Sequence, residues 1–222
     1  MKLVIIAATG GIGRHLLRQA LDAGHDVTTV VRSPEKLAGE PVRTVAADLA
    51  HPDPAALASA IAGADAVLSG LGARTSAEAG VATRGTRAVV DAMRATGVRR
   101  LVVVSAAPLG TVPSPDRPNP PGHDPGDGFF MRHLGAPFAR TAFRTHYADL
   151  ARMEDVVFAS GLDWTVSRPP KLTNGALTGR YRSAIGRNVR GGFAVSRADV
   201  AHQMLHALDQ PETIHQVVGL AR

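Results

Sequence analysis

A glycine-rich segment near the beginning of the chain has the residue types of a phosphate-binding turn. Residues 7–13 read A-A-T-G-G-I-G and lie between an apolar run and an alanine-rich, helix-like stretch. Backbone N–H groups are free at the N-terminus of a helix, and the helix dipole favours negative charge there. Gly10 would let the phosphates of a dinucleotide approach the backbone, and Gly13 would let the helix pack closely on the strand. The candidate binding residues are Thr9, Gly10, Gly11, Ile12 and Gly13.

Ala7 stands where the usual dinucleotide-binding fingerprint has its first glycine. Because alanine is uncommon at positive φ, we expect Ala7 to have a negative φ and the turn to differ from the usual one. A glycine-rich turn alone is a weak signal, and a turn with a purely structural role is the alternative. Its position at the first strand–helix junction favours binding.

The end of the second predicted strand bears on which dinucleotide would bind. An NAD site places an acidic residue there, on the ribose hydroxyls. Here the strand at 26–31 ends in Arg32 and Ser33, and its own acid, Asp26, lies at the opposite end. A guanidinium and a hydroxyl suit a 2′-phosphate, and Arg14 in the first helix would add charge on the same side. The sequence therefore favours NADP(H) over NAD(H), with a solvated surface role for Arg32 as the alternative.

Two later strand ends supply further candidates for cofactor contacts. Asp48 and Leu49 follow the third predicted strand, where Asp48 would accept a hydrogen bond from the adenine amino group. Gly70, Leu71 and Gly72 follow the fourth strand and would bring backbone close to the cofactor ribose. An ordinary loop would account for either segment as well.

The elements around these residues alternate between strands and helices. Strand-like apolar runs lie at 3–8, 26–31, 42–47, 66–69, 100–105 and 163–167, and helical stretches at 12–23, 54–62, 81–96, 145–160 and 197–208. Several runs are apolar on both faces, as is typical of strands that helices cover on each side. Gly24 and Gly97 stand where C-terminal cap glycines belong. The pattern predicts an α/β, Rossmann-type doubly wound parallel sheet, completed by a hairpin-like stretch at 176–183 and a last strand at 214–218.

A proline-rich segment interrupts this alternation after the fifth strand. Seven prolines between residues 108 and 125 predict that no regular element forms there, because proline fixes φ and lacks an N–H donor. The segment at about 108–140 is either a surface insertion or a lid over the ligand-binding edge of the sheet, with F-F-M at 129–131 as apolar cover. We predict one NAD(P)-binding domain over residues 1–222, with this insertion and a small substrate-side part at about 168–222.

Seven short motifs spread over nearly the whole chain point to a known superfamily. They are A-T-G-G-I-G at 8–13, V-R-S-P-E-K-L at 31–37, A-D-L at 47–49, G-V-R-R-L-V-V-V-S at 97–105, S-G-L-D-W-T at 160–165, R-P-P at 168–170 and L-T-G-R-Y at 177–181. On these motifs the chain resembles the atypical short-chain dehydrogenases/reductases, and within them the NAD(P)H-binding group with NmrA-like and biliverdin reductase B/flavin reductase-type proteins. In the flavin reductase type a proline pair and an L-T-G-x-Y strand border the nicotinamide and substrate pocket, which implies that place for Pro169 and Pro170. Departures are Ala7, the proline-rich insertion, and Lys171 where that type has histidine, and the last two leave the substrate open.

The sequence lacks the proton-donating motif of most short-chain dehydrogenases. In that Tyr-x-x-x-Lys motif, the lysine lowers the tyrosine pKa for proton transfer. Here Tyr147 is followed four residues later by Ala151, and Tyr181 by Ile185. The absence of the Tyr-x-x-x-Lys motif argues against a typical alcohol dehydrogenase, epimerase or dehydratase. Hydride delivery to a flavin or another conjugated acceptor needs less acid catalysis, because the ring delocalises charge and water can complete the protonation.

Four residues are candidates for the reacting end of the site, where the nicotinamide and the substrate would meet. Ser105 is the first choice for a polar contact to nicotinamide or substrate, because the resemblance matches it to an active-site position. A strand-terminal serine that caps a turn is the alternative. Lys171 would supply charge to an anionic substrate or orient the nicotinamide amide through nearby backbone, or else lie in solvent. Tyr147 and His146 begin the helix after the insertion, where His146 would donate a proton near neutral pH or simply be exposed.

Composition limits the remaining function classes. The chain has 222 residues, no cysteine and a net charge of +6, so disulfides and thiolate chemistry are excluded. Its apolar runs are too short to span a membrane. Scattered arginines without a basic run argue against a nucleic-acid partner, and His202 and His206 have no third ligand, so we expect no metal. We expect a cytoplasmic monomer or homodimer acting on a small-molecule substrate.

Two functions fit these observations. The first is an NADPH-dependent reductase of flavins, quinones or related conjugated compounds. The second is an NmrA-like regulator that senses NADP(H) without turning it over. A lid and an intact nicotinamide side favour the enzyme, and micromolar NADP(H) binding with no turnover would favour the regulator.

Overall fold

The computed structural model of the chain describes residues 1–73, 75–128, 133 and 143–222. The strands of this part are β1 (Lys2–Ile6), β2 (Asp26–Val31), β3 (Arg43–Ala46), β4 (Ala66–Ser69), β5 (Arg100–Val104), β6 (Asp163–Arg168), β7 (Lys171–Thr173), β8 (Arg182–Ile185), β9 (Ala194–Ser196) and β10 (Gln216–Ala221). The α-helices are α1 (Gly13–Asp22), α2 (Pro54–Ile61), α3 (Val81–Thr96), α4 (Arg144–Phe158) and α5 (Arg197–His206).

The central sheet has eight strands in the order β3-β2-β1-β4-β5-β6-β10-β8. From β3 to β10 each neighbouring pair is parallel, and β8 joins β10 in the antiparallel direction. The predicted doubly wound sheet is confirmed. The strand order reverses between β1 and β4, and open α/β sheets bind their ligands at the carboxyl ends of the strands beside such a switch point.

Helices cover both faces of the sheet, and each face has its own apolar cluster. One cluster joins α2, α3 and α4, and the other joins α1 and α5. Alternate residues of β1 point to opposite faces, so Val4 and Ile6 belong to the first cluster and Leu3 and Ile5 to the second. Burial on both faces explains why the strands are continuous apolar runs in the sequence.

The helix ends follow the local signals in the sequence. Gly24 and Gly97 both have a φ of 75°, the left-handed conformation expected of glycines that end helices. The structure gives α3 the predicted bounds of 81–96. None of the helices in the described ranges combines the length and apolar character that crossing a membrane requires.

The predicted hairpin at 176–183 is wrong. β8 starts at Arg182 and pairs with β10, while β7 pairs in parallel with β9. The backbone N–H groups of Thr178 and Gly179 each donate to the Asp199 carboxylate at 2.9 Å, so a side chain on α5 occupies donors that a hairpin would need. The last strand, predicted at 214–218, is displaced to Gln216–Ala221.

The first part of the proline-rich segment is held against the domain. A 3₁₀ helix at Ala107–Thr111 corrects the expectation that no regular element forms, because Pro108 lies in its first turn, where no N–H donor is needed. The buried Asp124 carboxylate accepts a hydrogen bond from the Asn188 N–H at 2.8 Å. Residues 129–131, the predicted apolar cover, lie outside the described residues, so the lid and the domain subdivision stay predictions.

Candidate functional site

A cleft runs along the carboxyl ends of β1, β2, β3, β4 and β5, at the switch point of the sheet. Its walls include these predicted residues: Thr9, Gly10, Gly11, Ile12, Arg32, Asp48, Leu49, Gly70, Leu71, Gly72, Ser105 and His146. The structure therefore brings together segments that are far apart in the sequence. The other predicted residues do not line this cleft: Gly13, Arg14, Ser33, Tyr147, Pro169, Pro170 and Lys171.

The glycine-rich turn depends on direct backbone packing between β1 and α1. A β-carbon added to Gly13 would lie 2.2 Å from the carbonyl oxygen of Ala7 and 2.8 Å from the Cα of Ala8. A β-carbon added to Gly70 would lie 3.2 Å from the Gly13 nitrogen, so the end of β4 also packs on this turn. Glycine at position 13 is thus required for the close approach that the sequence predicts.

Ala7 has a φ of 60°, so the prediction of a negative φ is wrong. Its N–H donates to the carbonyl of Val30 at 2.9 Å, and its own carbonyl accepts from the N–H of Gly10 at 2.8 Å. These two bonds hold Ala7 in the left-handed region at a conformational cost of roughly 1–2 kcal/mol. The turn therefore keeps the positive φ of the fingerprint without its first glycine.

The N-terminus of α1 is open to an anion. It has no capping side chain and no acidic residue in its first turn. Among the described residues, no acceptor is bonded to the N–H groups of Gly11, Ile12 or Gly13. The start of α3 is different, since the Asp149 carboxylate accepts from the N–H groups of Ala82 and Thr83 at 3.1 Å. The positive end of α1 thus remains available for a negatively charged group.

Arg32 lies on the cleft wall but shares its charge with an acid. Its guanidinium Nη2 is 3.1 Å from Glu78 Oε1, and its side chain is 51% exposed. Sequence reasoning missed Glu78, which ends the 3₁₀ helix Ser76–Glu78 after β4 and has no local signal that connects it with Arg32. Arg14, predicted to add charge here, is exposed and donates from Nε to the Thr9 carbonyl at 3.3 Å.

Asp48 presents a carboxylate to the same end of the cleft. The N–H of Ala50 donates to it at 3.0 Å, and this bond, followed by the contact with His51, lowers the pKa of Asp48. The carboxylate is therefore an acceptor at neutral pH, as the predicted contact to an amino group requires. Leu49 beside it is buried and contributes apolar wall.

Ser105 is hydrogen-bonded to a buried ion-pair network that the sequence analysis missed. Its Oγ donates to Glu154 Oε1 at 2.7 Å, and Glu154 is fully buried. Arg168 Nε donates to the same oxygen at 2.8 Å, and Arg117 Nη2 donates to Oε2 at 3.1 Å. The Glu154 carboxylate thus accepts one hydrogen bond from Ser105 and others from two guanidiniums. Ser105 therefore offers the cleft a lone pair rather than a proton.

The network joins three separate parts of the chain. Glu154 comes from α4, Arg168 ends β6, and Arg117 comes from the proline-rich segment. The R-P-P motif contains Arg168, but no spacing pattern relates it to Glu154 or Arg117. The described part of the insertion is thus connected to Ser105 through one shared carboxylate.

The other candidates at the reacting end differ in their access to the cleft. His146 lines the wall, and burial lowers its pKa, an effect that Asp149 partly offsets. Tyr147 packs on the core beside Phe143, with ring centroids 5.8 Å apart, and burial raises its pKa. His146 is therefore mainly neutral at neutral pH, and Tyr147 is protonated but does not line the wall.

Lys171 is exposed, and its neighbour on β7, Leu172, lines the cleft. Successive side chains of a strand point to opposite faces, so β7 can present one of the two residues to the cleft but not both. Pro169 is buried, and its carbonyl accepts from the N–H of Ala107 at 2.9 Å, which positions the end of β6 beside β5.

The histidine pair of α5 interacts with a tyrosine. Tyr181 Oη is 2.8 Å from His202 Nδ1, and burial, reinforced by Asp199, raises the pKa of Tyr181 to about 12. The His202 and His206 rings have centroids 4.3 Å apart. The described residues contain no group of three or more histidine, cysteine or acidic side chains that could hold a metal ion.

Comparisons with known proteins extend over nearly the whole chain. The sequence model of a family described as NAD(P)H-binding matches residues 7–211. The UPF0659 protein C216.03 of Schizosaccharomyces pombe is 31% identical, over 98% of this chain and 90% of that protein. The uncharacterized sugar epimerase YhfK of Bacillus subtilis is 27% identical, over 99% and 94%. The solved structure of ChuY, an anaerobillin reductase from Escherichia coli O157:H7, is 25% identical with a TM-score of 0.75, over 100% and 97%.

Proposed function

The chain belongs to the NAD(P)H-binding family, and we propose on this basis that it is an NADPH-dependent reductase that transfers hydride to a flavin, a quinone or a similar conjugated small molecule. The reductase activity named for ChuY supports this reaction class. The epimerase activity named for YhfK has less support, because this sequence lacks the Tyr-x-x-x-Lys motif.

The open N-terminus of α1 is the observation that carries the proposal. It follows β1, which has β2 and β3 on one side in the sheet and β5 on the other. Arg32 and Asp48 follow β2 and β3, Ser105 follows β5, and all three of these residues line the cleft. This arrangement fits the parts of NADP(H): free amides for the diphosphate, a guanidinium for the 2′-phosphate, and a polar side chain at the nicotinamide end. Gly70 and Leu71 would border the ribose between them.

The reacting end supports hydride transfer with little acid catalysis. A bound nicotinamide cofactor would supply the hydride. Ser105 would accept a hydrogen bond from the nicotinamide amide or from a donor on the substrate, since its own O–H donates to Glu154. Leu150 and Leu172 add apolar wall to the cleft. Solvent would then protonate the reduced acceptor, which is feasible where charge is delocalised over a ring.

Turnover with conjugated acceptors tests the reaction class. We expect NADPH oxidation, followed by absorbance, in the presence of FMN, riboflavin or menadione, and micromolar NADPH binding by calorimetry. Binding without turnover of any acceptor would instead support the NADP(H)-sensing regulator. A protein that binds neither NADPH nor NADH would contradict both functions.

Arg32→Glu tests the cofactor preference. We expect it to weaken NADPH binding by at least about 2 kcal/mol, or about thirtyfold, by removing a charge-assisted contact and adding repulsion, with little change for NADH. Lys36→Glu is the matched control, because Lys36 is exposed four residues further along and makes the same charge change. Calorimetry with both cofactors provides the measurement. An equal loss for NADPH and NADH would show that Arg32 does not bind the 2′-phosphate.

A further inference from the structure

Arg197, at the start of α5, lies across the glycine-rich turn. A β-carbon added to Gly11 would be 2.8 Å from Arg197 Nε and 2.9 Å from its Cδ. Glycine at position 11 therefore leaves the space that the arginine side chain occupies. Arg197 also lines the cleft, together with Thr9, Gly10 and Ile12. No motif in the sequence connects it with the turn, which is almost the whole chain away.

The guanidinium of Arg197 is held in place without being neutralised. Its Nη1 donates to Asn174 Oδ1 at 2.6 Å, which is a neutral acceptor. No carboxylate in the described ranges forms an ion pair with it. Asp199, two residues further on, instead binds Thr178 and its own helix cap Ser196. Arg197 thus differs from Arg32, whose charge is shared with Glu78.

The electrostatic surroundings of His15 on α1 agree with a positive charge on Arg197 that no carboxylate offsets. Burial lowers the pKa of His15, and the positive charges of Arg197 and Arg18 lower it further. The first turn of α1 contributes no acidic residue that would offset them. The free N–H groups of the turn and the free cation beside it therefore act on the same space.

Resting on the proposed function, we propose that Arg197 is a cofactor-binding residue that contacts the diphosphate bridge of the nicotinamide dinucleotide. A guanidinium presents a planar set of donors that matches phosphate oxygens. The amides of the turn fix where the diphosphate must lie, and Arg197 borders that place through its contact with Gly11. Because NAD(H) and NADP(H) share this bridge, Arg197 should contribute equally to the binding of both cofactors. Arg32, by contrast, would contact the 2′-phosphate, which only NADP(H) has.

Calorimetric titration of the full chain with NADP+ and NAD+ tests this assignment. Arg197→Met, which keeps the aliphatic stem and removes the charge, is expected to weaken both cofactors by the same factor of about ten or more. Arg197→Lys keeps a charge and should recover part of the loss. Arg18→Met is the matched control, since Arg18 is exposed beside His15 and does not line the cleft. It should stay within about threefold of the wild type, which is less than 0.7 kcal/mol.

Several results would overturn the assignment. One is an Arg197→Met protein that binds both cofactors as the wild type does, and another is an equal loss in Arg18→Met, which would indicate a general field effect. A loss for NADP+ alone would place Arg197 at the 2′-phosphate, and a raised acceptor KM with unchanged cofactor affinity would place it at the substrate. If Arg197→Met does not fold, as judged by circular dichroism, Arg197→Gln decides by the same criteria. If the wild-type protein binds neither cofactor, the proposed function itself is wrong. The wild type is therefore titrated first.

Discussion

Glu154→Ala is expected to lower the free energy of unfolding by about 3–5 kcal/mol, the usual cost of removing one partner of a buried ion pair. Glu154 is fully buried and Arg168 is 7% exposed, so the substitution leaves a guanidinium inside the protein without its anion. Ser105 loses its acceptor at the same time. Urea denaturation followed by circular dichroism, with wild type and variant at the same pH, measures the difference.

Asp91→Ala provides the matched control for this loss. Asp91 also pairs with an arginine, Arg94, but at 3.9 Å and with a side chain that is 64% exposed. An exposed pair of this kind contributes little, so the control should change stability by less than about 0.5 kcal/mol. A cost for Glu154→Ala as small as that of the control would mean that the Arg168 guanidinium finds another partner or reaches solvent.

The same variant bears on the role of Ser105. With its acceptor gone, the hydroxyl is free to turn its proton toward the cleft. Glu154→Gln keeps the shape of the side chain but removes the charge that two guanidiniums face, so it should also lower stability, while its amide oxygen can still accept from Ser105. A change in kcat that appears in Glu154→Ala but not in Glu154→Gln would then come from the reoriented hydroxyl.

Gly13→Ala is expected to weaken NADPH binding at least about a hundredfold, which is about 2.7 kcal/mol. The added methyl group would lie 2.2 Å from the Ala7 carbonyl oxygen, and this neighbour is backbone that cannot rotate away. Either β1 or α1 must shift, which displaces the amides that are to hold the diphosphate. Overpacking of this kind also costs about 1–3 kcal/mol of stability. Calorimetry and urea denaturation measure the two effects.

Gly122→Ala is the control for the glycine substitution. A β-carbon at Gly122 would have no heavy atom within 4 Å, so the same chemical change meets open space. We expect wild-type stability and NADPH affinity in this protein. Wild-type affinity in Gly13→Ala would show instead that the cofactor does not depend on the turn.

The parallel sheet could be predicted because its signals are local. Burial on both faces makes each strand an apolar run, and the bounds of Asp26–Val31 and Val81–Thr96 agree with the sequence prediction. The last part of the chain follows another rule, since β7 pairs with β9 and β8 with β10 across intervening segments. The N–H groups of residues 178 and 179 donate to the Asp199 carboxylate instead of to a neighbouring strand, and no periodicity encodes that contact.

The candidate site was predictable to the extent that it follows strand ends. Residues after β1, β2, β3, β4 and β5 meet at one edge in any parallel sheet, which is why the sequence could place Arg32, Asp48 and Ser105 along one cleft. Glu78, Glu154 and Arg197 come from loops and helices, and their distance in the sequence from the turn or from Ser105 has no fixed spacing. Only tertiary packing shows them.

The left-handed conformation of Ala7 has a consequence for how such proteins are recognised. Two hydrogen bonds impose the shape of the bend, and the residue there only has to be small enough to tolerate it. Pattern searches that demand glycine at this point would pass over chains whose backbone takes the same course. A search for the two hydrogen bonds of Ala7, combined with the close backbone contact between β1 and Gly13, would retain such chains.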